Sequence, residues 1–230
     1  MCSQALWQPT WQLLREQYHD NYQLIALVIP NSGSMDEVVS ALANKIVEND
    51  AILVGFSLGG YIASAIALKF ENKISQLLIV SNFPKNLPTA EIKQRKRTID
   101  WINLRGYSGI ANKRINDLLQ PNIQQFNPQG YQDIKQTIIA MDRELGVNVL
   151  LHQLRVSMHR PNLLPLLRQL TLPITMLIGD ADSLVDLVAL QQALSNADNI
   201  VLKEVANTGH MLPLEFPQAL ASTLMDLLTS

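Results

Sequence analysis

The stretch Ala51-Ile-Leu-Val-Gly-Phe-Ser-Leu-Gly-Gly60 decides the fold of this chain. It begins with a short apolar run that is typical of a buried strand, and it leads into an alanine-rich segment with helical spacing. Ser57 lies at the join, in a G-x-S-x-G pattern that is typical of a nucleophile on a strand-to-helix turn. Such a turn strains the backbone and exposes the hydroxyl group, while the glycines let strand and helix approach closely. We therefore predict that Ser57 is a nucleophile.

Apolar runs of this kind recur along the chain and predict further buried strands. They occupy residues 24–29, 51–54, 77–80, 174–178 and 201–205. The starts at residues 24, 51 and 77, and those at 174 and 201, are 26 or 27 residues apart. This is the length of one βα unit. We predict an α/β fold with a doubly wound, mostly parallel sheet.

Helical patterns fill the spaces between these runs. Val38, Leu42 and Ile46 repeat every four residues, and Ser34 with Glu37 has the pattern of a capping box at that helix's start. A second helical pattern is formed by Trp7, Trp11, Leu14 and Tyr18. Both patterns place a helix before a predicted strand.

The alternation of strands and helices breaks once, between residues 80 and 174. This long stretch has helical spacing and Pro, Asn and Gly punctuation, but no convincing strand. We predict an all-helical cap at residues 84–170, inserted into a core that consists of residues 1–83 and 171–230.

The composition restricts the classes of function. With 47% hydrophobic and 17% charged residues, the 230-residue chain has the balance of one compact domain. A net charge of -2 leaves no basic field for nucleic acid or an anionic membrane surface. The single Cys2 cannot form an intrachain disulfide, and the apolar runs are far shorter than the roughly 18 residues of a membrane span. We expect a soluble protein of the reducing cytoplasm, without a nucleic-acid partner or a membrane span.

His210 is the best placed of the four histidines. It follows Gly209 in a loop directly after the run 201–205, at the sheet edge from which an imidazole can reach Ser57. The others, His19, His152 and His159, have no such setting, and we interpret them as surface or cap-packing residues. His159 is the reserve candidate because it lies near the end of the predicted cap.

Three aspartates are candidates for an acid that orients the histidine. Asp180, Asp182 and Asp186 all follow the run 174–178, and their position alone does not separate them. Their spacing does not fit a known calcium or magnesium loop, and no further cluster of oxygen ligands follows. We predict neither a metal nor a cofactor.

Three segments resemble the signature segments of the α/β-hydrolase superfamily of serine hydrolases. They are Gly55-Phe-Ser-Leu-Gly-Gly60, Ile178-Gly-Asp-Ala-Asp-Ser-Leu-Val185 and Thr208-Gly-His-Met-Leu-Pro-Leu-Glu215. The order serine, aspartate, histidine is also the family's order. Family spacing puts the acid three residues after Gly179, which selects Asp182; Asp180 then becomes a solvated turn residue, and Asp186 takes a place where the family often has proline. Within the family, the chain is similar to small carboxylesterases such as pimeloyl carrier-protein methyl ester esterase and to enol-lactonases.

The resemblance implies a hydrolase acting on a small or medium carboxylic ester. In such a hydrolase, His210 takes the proton of Ser57 as the serine attacks the carbonyl carbon of the ester, and Asp182 holds the imidazole tautomer. The amide of Leu58, at the start of the following helix, can donate to the oxyanion. Two alternatives stay open: a lyase or acyltransferase that uses the same triad, and a non-catalytic binding protein on a truncated hydrolase scaffold.

The resemblance also implies a strand upstream of the chain's first residues. In the family, a strand that ends in His-Gly or Pro-Gly lies beside the strand leading to the nucleophile. The residue after that glycine supplies the first oxyanion amide, which falls just upstream of Met1 or at Met1 itself. We expect that the natural product has a longer N-terminus.

The predicted cap carries large apolar side chains and one basic run. Its large apolar side chains, which can wall an acyl pocket or simply pack the cap helices together, are Trp101, Tyr107, Tyr131, Met141 and Met158. The run Lys93-Gln-Arg-Lys-Arg97 is typical of a solvated helix face, and its alternative role is docking of an acidic substrate or carrier protein. The predicted partner is a small-molecule acyl ester, with an acidic carrier protein at the cap as the second candidate.

Overall fold

The computed structural model describes residues 1–17, 22–47 and 50–229, and four parallel strands form its sheet. The strands are β1 (Ala51–Phe56), β2 (Ile74–Val80), β3 (Ile174–Gly179) and β4 (Ile200–Val205). They lie in the order β1-β2-β3-β4, and each pair of neighbours is parallel. Each strand contains the apolar run that predicted it and extends beyond that run. The predicted parallel sheet is confirmed.

Helices lie before, between and after these strands. Before β3 they are α1 (Gln8–Gln17), α2 (Met35–Ala43), α3 (Leu58–Lys69), α4 (Thr89–Arg105), α5 (Asn112–Leu118), α6 (Ile123–Phe126), α7 (Pro128–Val156) and α8 (Leu164–Leu167). After β3 they are α9 (Leu187–Leu194), α10 (Leu212–Glu215) and α11 (Pro217–Thr229). Within the described ranges, no helix has both the length and the apolar character that crossing a membrane requires.

The sheet buries a separate hydrophobic core on each face. Along β2, Leu77 and Ile79 enter one core with α2, α3, α8 and α9, while Leu78 and Val80 enter the other with α1, α10 and α11. All four side chains are fully buried, because helices cover the strand on both sides. The doubly wound arrangement is therefore confirmed.

Residues 84–170 contain the helices α4 to α8 and no strand, and we call this segment the cap. Its helices α5 and α7 enter the second core through Ile115 and Met141, which are both completely buried. Gly146, with a φ of 73°, interrupts the helical geometry of α7. The division of the chain into a core and a cap at these boundaries stays a prediction.

The strand predicted at residues 24–29 is wrong, because this segment is not paired into the sheet. A strand needs a neighbour that supplies a ladder of backbone hydrogen bonds, and among the described residues β1 pairs only with β2. The apolar side chains are nevertheless used: Leu24 packs against the second core, and Leu27 and Ile29 pack against the first. Apolar composition predicted contact with the core correctly, but it did not predict strand pairing.

The helix predicted to reach Ile46 is α2, and it ends three residues earlier, at Ala43. Ile46 is still buried in the first core, so the four-residue spacing marked burial beyond the helix end. The predicted capping box is confirmed, since Ser34 Oγ accepts from the Glu37 amide and the Glu37 carboxylate accepts from the Ser34 amide. Tyr18 and His19 lie outside the described residues.

Candidate active site

Ser57 lies on the sharp turn between β1 and α3. Its φ and ψ are 51° and -121°, a conformation that costs a non-glycine residue about 1 to 3 kcal/mol. Gly55 keeps the turn tight, because a Cβ at that position would lie 2.3 Å from the Gly59 carbonyl oxygen. The Ser57 amide donates to the Val80 carbonyl oxygen at 2.9 Å, which ties the turn to β2. The strained strand-to-helix turn expected from the sequence is present.

Leu58 is the first residue of α3. The first amides of a helix have no carbonyl partner within it, and they carry the positive end of the helix dipole. The Leu58 amide is therefore the first amide of α3, and it follows Ser57 directly in the chain. This is a suitable donor for negative charge that develops on an oxygen next to Ser57.

His210 lies in the loop that follows β4, and its imidazole reaches Ser57. Nε2 of His210 is 3.0 Å from Ser57 Oγ. The residue is only 5% exposed, and its ring packs against that of Phe56 with 5.2 Å between the ring centroids. Because the side chain is enclosed, its orientation is fixed by its contacts rather than by solvent.

Asp182 contacts the other nitrogen of the same imidazole. Nδ1 of His210 is 2.8 Å from Asp182 Oδ2 and 3.0 Å from Oδ1. The Asp182 side chain is fully buried, and its Oδ1 also accepts from the Leu184 amide at 2.9 Å. The network assigns the Nδ1–H of His210 as a donor to the carboxylate, which leaves Nε2 as the acceptor for the Ser57 hydroxyl.

A scan against protein families places this chain. The family model described as "Alpha/beta hydrolase family" matches residues 6–223, which is almost the whole sequence. The chain belongs to the Alpha/beta hydrolase family.

Individual relatives of this family member are distant. It is 34% identical over 89 residues to the pimeloyl-[acyl-carrier protein] methyl ester esterase of Vibrio cholerae, a match that covers 35% of this chain and 33% of that protein. A thermophilic esterase structure from Thermogutta terrifontis superposes with a TM-score of 0.78 at 20% identity, over 99% of this chain and 86% of the other. The enol-lactonase structure from Burkholderia xenovorans LB400 gives a TM-score of 0.76 at 13% identity, over 100% and 88%. At these identities the solved structures establish the shared fold.

The two other candidate aspartates have different tasks in this hydrolase. Asp180 is exposed, and its Oδ1 accepts from the Thr208 amide at 3.3 Å. Asp186 caps α9, because its Oδ1 accepts from the Ala189 amide at 3.0 Å. Of the three aspartates, Asp182 is the one whose carboxylate contacts His210.

The remaining described histidines do not contact Ser57. His159 is exposed after α7, and His152 lies in the second half of α7 with a buried Nε2 that has no hydrogen-bond partner among the described residues. The position of the imidazole beside Ser57 is therefore filled by His210 and not by the reserve candidate His159.

The large apolar cap residues mainly pack the cap. Tyr131 and Met141 are buried in the second core, and the Tyr107 hydroxyl donates to Asp142 at 2.6 Å. Trp101 does not pack the cap helices together, because it is 63% exposed, and a role for it in walling a pocket stays a prediction. Helical spacing on α4 turns Ile99 and Ile102 inward and leaves Trp101 on the outer face.

The basic run on α4 is divided between two roles. Lys93, Lys96 and Arg97 are exposed, as expected for a solvated face. Arg95 is half-buried: its guanidinium pairs with Glu91 at 2.6 Å and donates to Ser157 Oγ at 2.6 Å. Arg95 thus holds α4 against the end of α7 and is not available to a docking partner.

The cap also contacts the loops that carry Asp182 and His210. We call residues 117–120, at the end of α5, the cap strap. We call residues 180–186, between β3 and α9, the acid loop, and its Ser183 hydroxyl donates to the Asp117 carbonyl oxygen at 2.7 Å. The His210 amide donates to the Leu118 carbonyl oxygen at 2.9 Å. The backbone of the general-base candidate is therefore fixed partly by the cap.

Glu215 is the residue of this region whose role the sequence did not reveal. Its Oε2 accepts from the Gln120 amide of the cap strap at 2.7 Å and from the Gly209 amide at 3.1 Å. Burial, together with the nearby negative charge of Asp182, raises the pKa of Glu215 to about 7, although its backbone hydrogen bonds act in the opposite direction. The available sequence signal is a single acidic residue that closes the otherwise apolar stretch 211–214.

Proposed function

We propose that this protein is a serine esterase that cleaves a small or medium carboxylic ester through an acyl-enzyme on Ser57. One observation carries the proposal: hydrogen-bond contacts run from Ser57 to His210 and from His210 to Asp182 without a break. A serine hydroxyl is a weak nucleophile unless a base accepts its proton, and His210 Nε2 lies at the distance that such a transfer requires. Membership of the family adds support.

The first half-reaction forms the acyl-enzyme. Ser57 Oγ bonds to the carbonyl carbon, its proton passes to His210 Nε2, and the carbonyl oxygen takes up the negative charge beside the Leu58 amide. When the tetrahedral intermediate collapses, the bond to the alcohol oxygen breaks and His210 gives its proton to that oxygen. Asp182 accepts from Nδ1–H throughout and stabilises the transient imidazolium.

The second half-reaction releases the acid. A water molecule gives its proton to His210 Nε2 as its oxygen attacks the acyl carbon, and collapse of the second intermediate returns a proton to Ser57 Oγ. One ester and one water become one acid and one alcohol. No further co-reactant is needed for the balance.

Labelling with a fluorophosphonate probe, followed by turnover of p-nitrophenyl esters of increasing chain length, tests this function. We expect the wild-type protein to label and to hydrolyse, and Ser57→Ala to lose labelling and at least about 10⁴-fold in kcat. Ser64→Ala is the matched control, because Ser64 lies on α3, the helix that follows Ser57, and its hydroxyl donates to the Gly60 carbonyl oxygen. Labelling that persists in Ser57→Ala contradicts the nucleophile assignment. Labelling without ester turnover favours the lyase or acyltransferase alternative instead.

An acyl ester on an acidic carrier protein is the narrower substrate that we infer. Its support is the name of the Vibrio cholerae relative together with the exposed charges of Lys93, Lys96 and Arg97 on α4. Reversing the charge of Lys96 and Arg97 should raise KM for a carrier-bound ester while leaving KM for p-nitrophenyl butyrate unchanged. Equal effects on both substrates would contradict carrier docking at this face.

A further inference from the structure

We propose that Glu215 is a positioning residue for His210, which ties the loop of residues 208–211 to the cap strap so that the imidazole stays within reach of Ser57. The inference rests on the proposed function, in which His210 is the general base. Glu215 itself is outside the relay, because its side chain interacts with backbone amides: it accepts from Gly209 and Gln120, and the Met211 amide also acts on its carboxyl group.

The backbone amides of this loop are held from three directions. Their acceptors are Asp180 Oδ1 for Thr208 at 3.3 Å, Glu215 Oε2 for Gly209 at 3.1 Å, and the Leu118 carbonyl oxygen for His210 and Met211 at 2.9 and 3.2 Å. The acid loop, α10 and the cap strap therefore each hold part of the loop. The position of the His210 backbone depends on these contacts, since a loop lacks the regular backbone hydrogen bonds of a helix or a strand.

Glu215 is the group that joins two of these directions. A single oxygen, Oε2, accepts from the loop at Gly209 and from the cap strap at Gln120, residues that are far apart in the sequence. The two backbones lie very close at this point, because a Cβ on Gly209 would be 2.5 Å from the Gln120 nitrogen. One acceptor oxygen therefore satisfies two donors in a space too narrow for a further side chain.

Burial of this carboxyl group is unfavourable in itself. Its second oxygen, Oε1, is buried without a hydrogen-bond partner among the described residues, and the pKa of the group is raised to about 7. An apolar side chain would avoid that desolvation, but it would leave the Gly209 and Gln120 amides without an acceptor. Glutamine keeps one acceptor oxygen and removes the charge, so it separates the hydrogen-bonding role from the charge.

Three variants test the inference. Glu215→Ala removes the bridge, and Glu215→Gln keeps an oxygen that can accept from both amides. The control is Glu71→Ala. Glu71 Oε1 makes a similar backbone tie, accepting from the Thr171 and Leu172 amides at 3.1 and 3.3 Å. This tie lies before the amino ends of β2 and β3, whereas Ser57 follows the carboxyl end of β1. All three are compared with wild type for kcat, KM, rate of fluorophosphonate labelling and melting temperature.

We expect Glu215→Ala to lower kcat about 10- to 100-fold with less than about a threefold change in KM, because a misplaced base slows the chemical step more than binding. The rate of fluorophosphonate labelling should fall by the same factor. Glu215→Gln should restore kcat to within about threefold of wild type. Glu71→Ala should lower the melting temperature and keep kcat.

A spectroscopic measurement keeps the inference testable without an ester substrate. The Nδ1 proton of His210, hydrogen-bonded to Asp182, should give a downfield proton resonance in wild type and Glu215→Gln that is lost or broadened in Glu215→Ala. Three results would overturn the inference: unchanged kcat and resonance in Glu215→Ala, failure of Glu215→Gln to recover either, or an equal loss of kcat in Glu71→Ala. If wild type neither labels nor hydrolyses, the proposed function fails, and the resonance alone decides the role of Glu215.

Discussion

The Ser57 turn and the His210 loop bring two side chains to within 3.0 Å by different means. The turn is local, since Gly55 and the first turn of α3 hold it within a few positions of Ser57. The loop is not local, because its position depends on the cap strap and on the bond between Glu215 and Gln120, which are 95 residues apart. One half of the site is therefore specified by adjacent residues, and the other half by the packing of a distant segment.

This difference has a consequence for how the site responds to change. We expect a substitution in the cap strap to change the position of His210 without changing Ser57, whereas a substitution in the turn should change the position of Ser57 directly. If the proposed function holds, the cap acts on catalysis through the position of the His210 backbone as well as through any contact with substrate.

Breaking the local turn should have the largest effect. In Gly55→Ala the new Cβ would lie 2.3 Å from the Gly59 carbonyl oxygen, a backbone atom, so the start of α3 must shift. In Gly209→Ala it would lie 2.5 Å from the Gln120 nitrogen, also a backbone atom, but one in the part of the cap strap that lies outside the helices. We expect kcat for p-nitrophenyl butyrate to fall about 10³-fold in Gly55→Ala and about 30-fold in Gly209→Ala. Urea unfolding should show a loss of about 3 kcal/mol in the first and about 1 kcal/mol in the second.

Gly59→Ala is the control for the unfolding measurements, because a Cβ there meets no atom within 4 Å apart from its chain neighbours and the nearby backbone of its own helix. It should keep the stability of the wild-type protein. If Gly209→Ala lost as much kcat and stability as Gly55→Ala, the contrast between a local turn and a cap-dependent loop would not hold.

The features that could be predicted from sequence are those that adjacent residues determine. The glycines around Ser57 predicted a strained turn, and the apolar runs predicted all four strands of the described sheet. Family spacing after Gly179 selected Asp182, the aspartate that contacts His210. For the turn and the strands the physical cause lies within a few residues of the feature, whereas Asp182 was selected by the family resemblance.

The features that could not be predicted depend on partners elsewhere in the chain. The apolar run at residues 24–29 has the composition of a strand, but strand formation also requires a hydrogen-bonding neighbour. Glu215 looks like an ordinary acidic residue until the fold brings the Gln120 amide to its carboxylate. Trp101 has an apolar side chain, and only the packing of α4 determines that it faces outward.

A smaller effect is expected when the charge of Glu215 is removed and its hydrogen bonds are kept. The effect is a change in how the stability of the protein depends on pH. The folded-state pKa of about 7 lies above the ordinary value of 4.5, chiefly through burial, so folding favours the protonated acid. The stability that this preference contributes is fully present below pH 4.5 and is lost as the pH rises through 7. Glu215→Gln is neutral at every pH and lacks this loss. The free energy of unfolding of Glu215→Gln, minus that of wild type, should therefore grow by about 1 to 3 kcal/mol between pH 5 and pH 8 in urea titrations.

Glu71→Gln serves as the control for removing a carboxylate that accepts backbone amides. A difference that stays constant or shrinks over this range would mean that the Glu215 carboxyl group is ionised in the folded protein throughout, and that the loop is tied by a charged rather than a neutral acceptor.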